Sequence, residues 1–122
     1  MYGFRDQRVL SWLEGQEVEQ IGIGEHQVTF SFYPAGHMMV AGGWELLDPA
    51  GHVIDQAMEH ANRGEYRLHR VIGSVVSKVV VESETAMVLS FANGLRLRLL
   101  DDDPRYEAVV MEPGEGQPTI VV

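Results

Sequence analysis

Glu45 and Glu107 stand in matching local settings. Glu45 follows Trp44 and precedes Leu46-Leu47; Glu107 follows Tyr106 and precedes Ala108-Val109. Two carboxylates beside one axis are a pattern for acid–base chemistry, one donating a proton and the other accepting it. Strand alternation turns both outward, however, and no Gly-x-Ser-x-Gly elbow or phosphate loop accompanies them. The expectation is a salt bridge to Arg96, Arg98 or Arg105, with no catalytic residue, and the chain is read as non-enzymatic.

The five histidines, His26, His37, His52, His60 and His69, include no pair one helical turn apart, the spacing by which metal ligands declare themselves. Asp101-Asp102-Asp103 lacks the alternation, glycine and later glutamate of a calcium loop, and reads as a solvated turn whose charges blunt a sheet edge. The chain has no cysteine, which removes disulfides and thiolate metal sites. No metal or cofactor is expected.

The elements that must carry these residues come from one unit written twice. Leu13-Glu14-Gly15-Gln16-Glu17-Val18 is echoed by Val71-Ile72-Gly73-Ser74-Val75-Val76, and Ile21 and Ile23 by Val79 and Val81, at a spacing of 58 residues. Phe30-Ser31-Phe32 is echoed by Leu89-Ser90-Phe91 at 59, Gly36 by Gly94 at 58, and Trp44-Glu45-Leu46-Leu47 by Tyr106-Glu107-Ala108-Val109 at 62. Apolar residues alternate over 17–23, 28–32 and 95–99, the period of half-buried strands, and 75–82 and 86–91 also read as strands. Pro34-Ala35-Gly36, Asp48-Pro49-Ala50-Gly51, Ser83-Glu84-Thr85 and Asn93-Gly94 separate the strands as turns, the last with hairpin chemistry of type I′. Ile54, Ala57, Met58 and Ala61 fall on one helical face, with Asn62-Arg63-Gly64 as the stop, so a short helix is expected near 54–62.

The expected fold is therefore mainly β (α+β with one short helix). It is a single domain over 1–122, with repeat halves of approximately 10–49 and 68–113. Each half is an antiparallel meander, and the two pack as a sandwich or a partly open barrel. Ile120-Val121-Val122 is a candidate short edge strand.

The formal charge is −9. Nucleic-acid binding needs clustered Lys and Arg and is not expected. Nor is a membrane span, since no apolar run is long enough. The N-terminus carries no apolar signal-peptide core, and the expected location is the cytoplasm. Glu14, Glu17, Glu19 and Glu25 lie in a stretch without Lys or Arg, and Asp101, Asp102 and Asp103 open a second acidic stretch. Such charge steers basic partners. Trp12, beside a turn, is a possible anchor.

The segment Leu89-Ser90-Phe91-Ala92-Asn93-Gly94-Leu95-Arg96-Leu97, the following Asp103-Pro104-Arg105-Tyr106-Glu107-Ala108, and Ile72-Gly73-Ser74-Val75-Val76 together resemble a group of small bacterial proteins of unknown function. Some members look like immunity proteins of bacterial polymorphic toxin systems. Val109 stands where that group has an aromatic residue. The resemblance implies a fold and carries no catalytic residue. Together with the acidic charge it suggests a non-enzymatic binding protein, an immunity-type inhibitor that occludes a basic toxin; the acidic stretches and the turn-side aromatic make Trp12, Glu14, Glu17, Glu19, Asp101, Asp102 and Asp103 the expected partner-binding residues. The alternatives are a ligand carrier or small enzyme with a pocket between the halves, lined by Glu45, Glu107 and a histidine, and a homodimer joined through an exposed strand.

Overall fold

A computed structural model describes Phe4 and residues 7–101, 107–114 and 116–122. Among these residues a short helix, α1 (Gln7–Leu10), runs into a 3-10 turn over Ser11–Leu13. Ten strands follow: β1 (Glu17–Ile23), β2 (Val28–Tyr33), β3 (His37–Val40), β4 (Trp44–Leu47), β5 (Val53–Gln56), β6 (Val76–Ser83), β7 (Ala86–Phe91), β8 (Arg96–Leu100), β9 (Val109–Glu112) and β10 (Ile120–Val121). They form two antiparallel sheets, ordered β1-β2-β3-β9-β10 and β5-β4-β8-β7-β6. The sheets are not closed into a barrel; the fold is a β-sandwich.

Alternation explains which side chains fill it. Val28, Phe30 and Phe32 of β2 point inward while Thr29 and Tyr33 point out, and Leu97 and Leu99 of β8 point inward between Arg96 and Arg98. These residues join Leu13, Val18, Met38, Leu46, Val71, Val76, Leu89 and Met111 in one apolar cluster between the sheets. Burying such side chains contributes roughly 1.5–3 kcal/mol each relative to exposure.

The two sheets follow one plan, seen in paired backbone hydrogen bonds. Gly15 N–H donates to Val76 O as Gly73 N–H donates to Val18 O; Val18 N–H donates to Ser74 O as Val76 N–H donates to Gln16 O. These reciprocal bonds cross from one half to the other at the 58-residue spacing. Further along, Phe32 N–H to Gly36 O matches Phe91 N–H to Leu95 O, Ala41 N–H to Ala108 O matches Leu100 N–H to Gly43 O, and Ala57 N–H to Trp44 O matches Val122 N–H to Val109 O. Even the bulges correspond, at Glu19 in β1 and Ser77 in β6. Each half builds a three-strand meander and then sends its fourth strand across. β4 pairs with β8 of the other half, and β9 pairs with β3.

The matched Phe32 and Phe91 bonds make Leu95, not Gly94, the counterpart of Gly36, and the exchange of strands corrects a second alignment. Trp44 lies opposite Leu99, and Val109 opposite Val40, so the counterparts of Trp44 and Glu45 are Val109 and Val110 at a spacing of 65 rather than 62 residues. Glu45 and Glu107 are not mates across the pseudo-dyad. The similar Trp-Glu and Tyr-Glu pairs hid a three-residue shift.

The helix expected near 54–62 is also corrected. Residues Val53–Gln56 are β5, and only His60–Asn62 form a single 3-10 turn. Two alanines at i+3 and i+7 satisfied the helical spacing without the bulk to bury a face. Pairing with β4 and the bonds made by the Asp55 side chain hold this stretch extended instead. Between β7 and β8 the connection is four residues long (92–95), closed by Gly94 N–H to Phe91 O with Gly94 at φ +90°, in place of a two-residue type I′ turn. Ile120-Val121 is an edge strand paired with β9, and Val122 is buried.

In the β4–β5 turn the Asp48 carboxylate accepts the N–H groups of Ala50 and His52, each at 2.9 Å, and Gly51 takes φ +93°. The His52 backbone N–H is the largest cause holding this carboxyl below its ordinary pKa, aided by the His52 ring and the Ala50 N–H. A carboxyl that titrates lower when folded holds its turn fully above the unfolded value, about 3.9, and releases it as pH falls through the folded value. An NMR titration of the Ala50 and His52 amide shifts should therefore inflect below about 3.9. An inflection at or above that value contradicts the capping role. No helix among the described residues is long and apolar enough to cross a membrane.

Candidate functional site

The sandwich is open at one end. There the β1–β2 turn (24–27), the β3–β4 connection (41–43), the arch over 57–66 and the strand entry at Glu107-Ala108 surround a cleft of about 810 Å³. Val28, Val40, Trp44 and Ala108 are buried and form its apolar floor. The volume lies within the range of small-ligand sites, roughly 300–1,000 Å³.

One buried ion pair shapes the arch. Arg63 Nη2 lies 2.5 Å from Asp55 Oδ1, with side chains only 5% and 7% exposed. The same guanidinium donates to Gln56 O and Glu65 O, and lies 3.9 Å from the centre of the Tyr66 ring and 5.8 Å from that of Trp44. Asp55 Oδ2 accepts the N–H groups of Arg67 and Leu68, both at 2.8 Å. The carboxylate thus neutralises a desolvated cation and ends two otherwise unsatisfied donors. Tyr66 stacks on His60, and its hydroxyl hydrogen-bonds to His60 Nδ1. Because Asp55 already balances Arg63, the charge left at the cleft belongs to exposed Glu25, Glu59 and Glu107 on its rim, with the His26 ring 3.6 Å from Glu25. A rim of carboxylates over an aromatic and aliphatic floor suits a cation with an apolar stem.

The acidic residues singled out in the sequence divide among different settings. Glu14 Oε2 accepts Val79 N–H at 2.9 Å, capping the edge of β6. Glu17 is half-buried at the start of β1, where it bridges to Val75, and Glu19 is exposed in the bulge. Asp101 is a correction: it is 2% exposed, its N–H donates to Thr85 O under the β6–β7 turn, and it offers no surface to a partner. Asp102 and Asp103 lie outside the described residues, as do Arg105 and Tyr106. Trp12 is turned inward, its ring edge-on to Phe32 at 5.6 Å and its far edge over Gly36, so it packs the fold rather than standing as a surface anchor.

Glu45 forms the expected salt bridge, 3.2 Å from Arg98, which also reaches Glu82. Glu107 alone of the glutamate pair lines the cleft. No protein-family model, curated protein or solved structure matches the chain. Among the described residues no three His, Cys, Asp or Glu side chains are grouped to hold a metal ion. Sequence reasoning passed over Asp55, Arg63 and Tyr66, leaving Asp55 off the apolar face of the expected helix and Arg63 in its stop. Val53-Ile54, a β-branched pair directly after a strong turn, was the available sign of a strand there.

Proposed function

We propose that this chain is a non-enzymatic binding protein whose partner is basic, and that the open cleft receives a Lys or Arg side chain of that partner. The observation that carries this reading is the set of exposed carboxylates, Glu25, Glu59 and Glu107, standing around an apolar floor that includes Trp44. The stem of a long cationic side chain would cover Val28 and Val40 while its head meets the rim. The charge around it reinforces the choice. Residues 9–62 contain no Lys or Arg, and the sheet beginning with β1 carries none in any of its strands. In the setting that the family resemblance suggests, the partner is a basic toxin held by steric occlusion.

The test is calorimetric titration with an acetylated Lys-Val-Lys-Val-Lys-Val amide, beside its Glu-Val counterpart. The Lys peptide should bind and weaken as salt rises, because rim charges are screened. Replacing Glu25, Glu59 and Glu107 together by Gln should weaken it about tenfold, three exposed ionic contacts each contributing a few tenths of a kcal/mol to about 1 kcal/mol. Equal binding of the Glu peptide, or no binding of the Lys peptide at low salt, overturns the proposal.

A further inference from the structure

The two halves treat their outer strand edges differently. β1 and β6 are counterparts, and each is the edge strand of its sheet. On β6 the outward donors are covered: Val79 N–H donates to Glu14 Oε2 at 2.9 Å and Val81 N–H to Gln7 Oε1 at 3.2 Å. On β1 the counterparts are Ile21 and Ile23. Gly24 N–H donates inward to Gln27 O, so by strand alternation Ile21 and Ile23 direct their N–H and C=O groups away from β2. Among the described residues no carbonyl or side chain accepts from either N–H.

At Ile21 the difference traces to one residue. Ile72 occupies the place in the second half that Glu14 occupies in the first. Their backbones agree closely, φ −61° and ψ 131° against φ −66° and ψ 131°. A glutamate there would reach Ile21 N–H as Glu14 reaches Val79 N–H. Isoleucine cannot accept a hydrogen bond, and it lies 47% exposed beside the open edge, with Val75 and Ile23 also exposed.

We propose that the edge of β1 over Gln20–Ile23 is a docking site for an extended, basic segment of a partner protein, which adds as a further strand. The backbone ladder would take up the two unused donors and their neighbouring acceptors, and Ile72 would pack on the incoming strand's apolar face. Charge selects this occupant. Glu17, Glu19 and Glu25 lie along or just beyond the edge with no cation on their sheet, which favours Lys and Arg on the incoming segment and disfavours a second copy of this acidic strand. Ile23 belongs both to the edge and to the cleft lining, so a strand laid along β1 runs toward the cleft mouth. The inference rests on the reading of the chain as a binder of basic partners and adds the mode of attachment.

The experiment uses the same Lys-Val peptide, with amide hydrogen exchange read at Ile21 and Ile23. Binding should slow exchange at these two amides. Peptide carrying N-methyl groups on alternate residues, which keeps the charge and removes ladder donors, should bind about tenfold more weakly. Ile72→Glu should also weaken binding about tenfold by capping Ile21 N–H, although it adds negative charge, a sign that simple charge attraction cannot produce. Thermal melting confirms that this variant is folded, and Ile72→Gln supplies the same cap without charge. Peptide that binds with unprotected Ile21 and Ile23, unaffected by methylation and by both variants, overturns the edge while leaving the basic-partner reading intact. Protection of the two amides that depends on protein concentration without peptide assigns the edge to a second copy and likewise overturns the inference. Failure of the unmodified peptide to bind at all removes the functional reading beneath it.

Discussion

Replacing Gly36 by Ala should lower stability by about 3–5 kcal/mol, a large share of the roughly 5–15 kcal/mol that holds a domain of this kind together. Two independent causes add. Gly36 has φ +103°, a conformation that costs an L-residue about 1–3 kcal/mol. A Cβ there would also stand 2.3 Å from Trp12 Cζ3 and 2.8 Å from Cη2, with Pro113 O at 3.1 Å on another side. The indole cannot swing clear, because its ring is already edge-on to Phe32. Overpacking of this kind costs about 1–3 kcal/mol. The midpoint of thermal unfolding should fall by on the order of 10–20 °C. Trp12→Leu in the Gly36→Ala background should restore part of the loss by relieving the clash, giving a favourable coupling in a double-mutant cycle. A shift of less than about 2 °C for Gly36→Ala would mean that the indole does not lie over this glycine.

Asp55→Ala should cost about 3–5 kcal/mol in urea unfolding, because it leaves the Arg63 guanidinium buried without its counter-charge. The same change strands the N–H groups of Arg67 and Leu68, which no longer end on Oδ2. Removing both partners, as Asp55→Ala with Arg63→Met, should recover much of the loss, since an apolar pair avoids the desolvation that a single charge suffers. The single variant should also loosen the 57–66 arch, which is seen as faster amide exchange at Arg67 and Leu68. If the single and double variants are equally unstable, the ion pair is not what secures this segment.

Much of the fold was legible because its signals are local. Alternation marked β2 and β8 with their inward faces, and turn residues marked nearly every connection. The repeat itself could be read from Gly15 and Gly73, which occupy the same left-handed turn, φ +87° and +83°. What escaped was everything decided at a distance. No local pattern says that β4 will pair with β8 instead of β3, so the Trp44 segment was matched to Tyr106 when its spatial counterpart begins at Val109. The 54–62 stretch was read as helix because Ile54, Ala57, Met58 and Ala61 have helical spacing, while the deciding bonds reach Asp55 from residues 63, 67 and 68. Of the candidate site, Glu107 was visible as one member of a glutamate pair. The cleft was foreseen only as an alternative, a pocket lined by Glu45, Glu107 and a histidine; Glu45 instead pairs with Arg98, and the floor and arch come from four separated segments that no local pattern joins. Asp101 shows the same limit: aspartate in an acidic run reads as solvated, and only a backbone bond to Thr85 places it inside.

The crossing of β4 and β9 between sheets has a consequence for how the molecule is made. When the first half leaves the ribosome, its meander is complete, but β3 and β4, the latter paired only with β5, each lack one neighbour. Both places are filled only by strands translated much later. Neither half can therefore close its hydrophobic face co-translationally, and the last step of maturation joins segments from distant parts of the chain at once, a topology that favours slow and highly cooperative assembly.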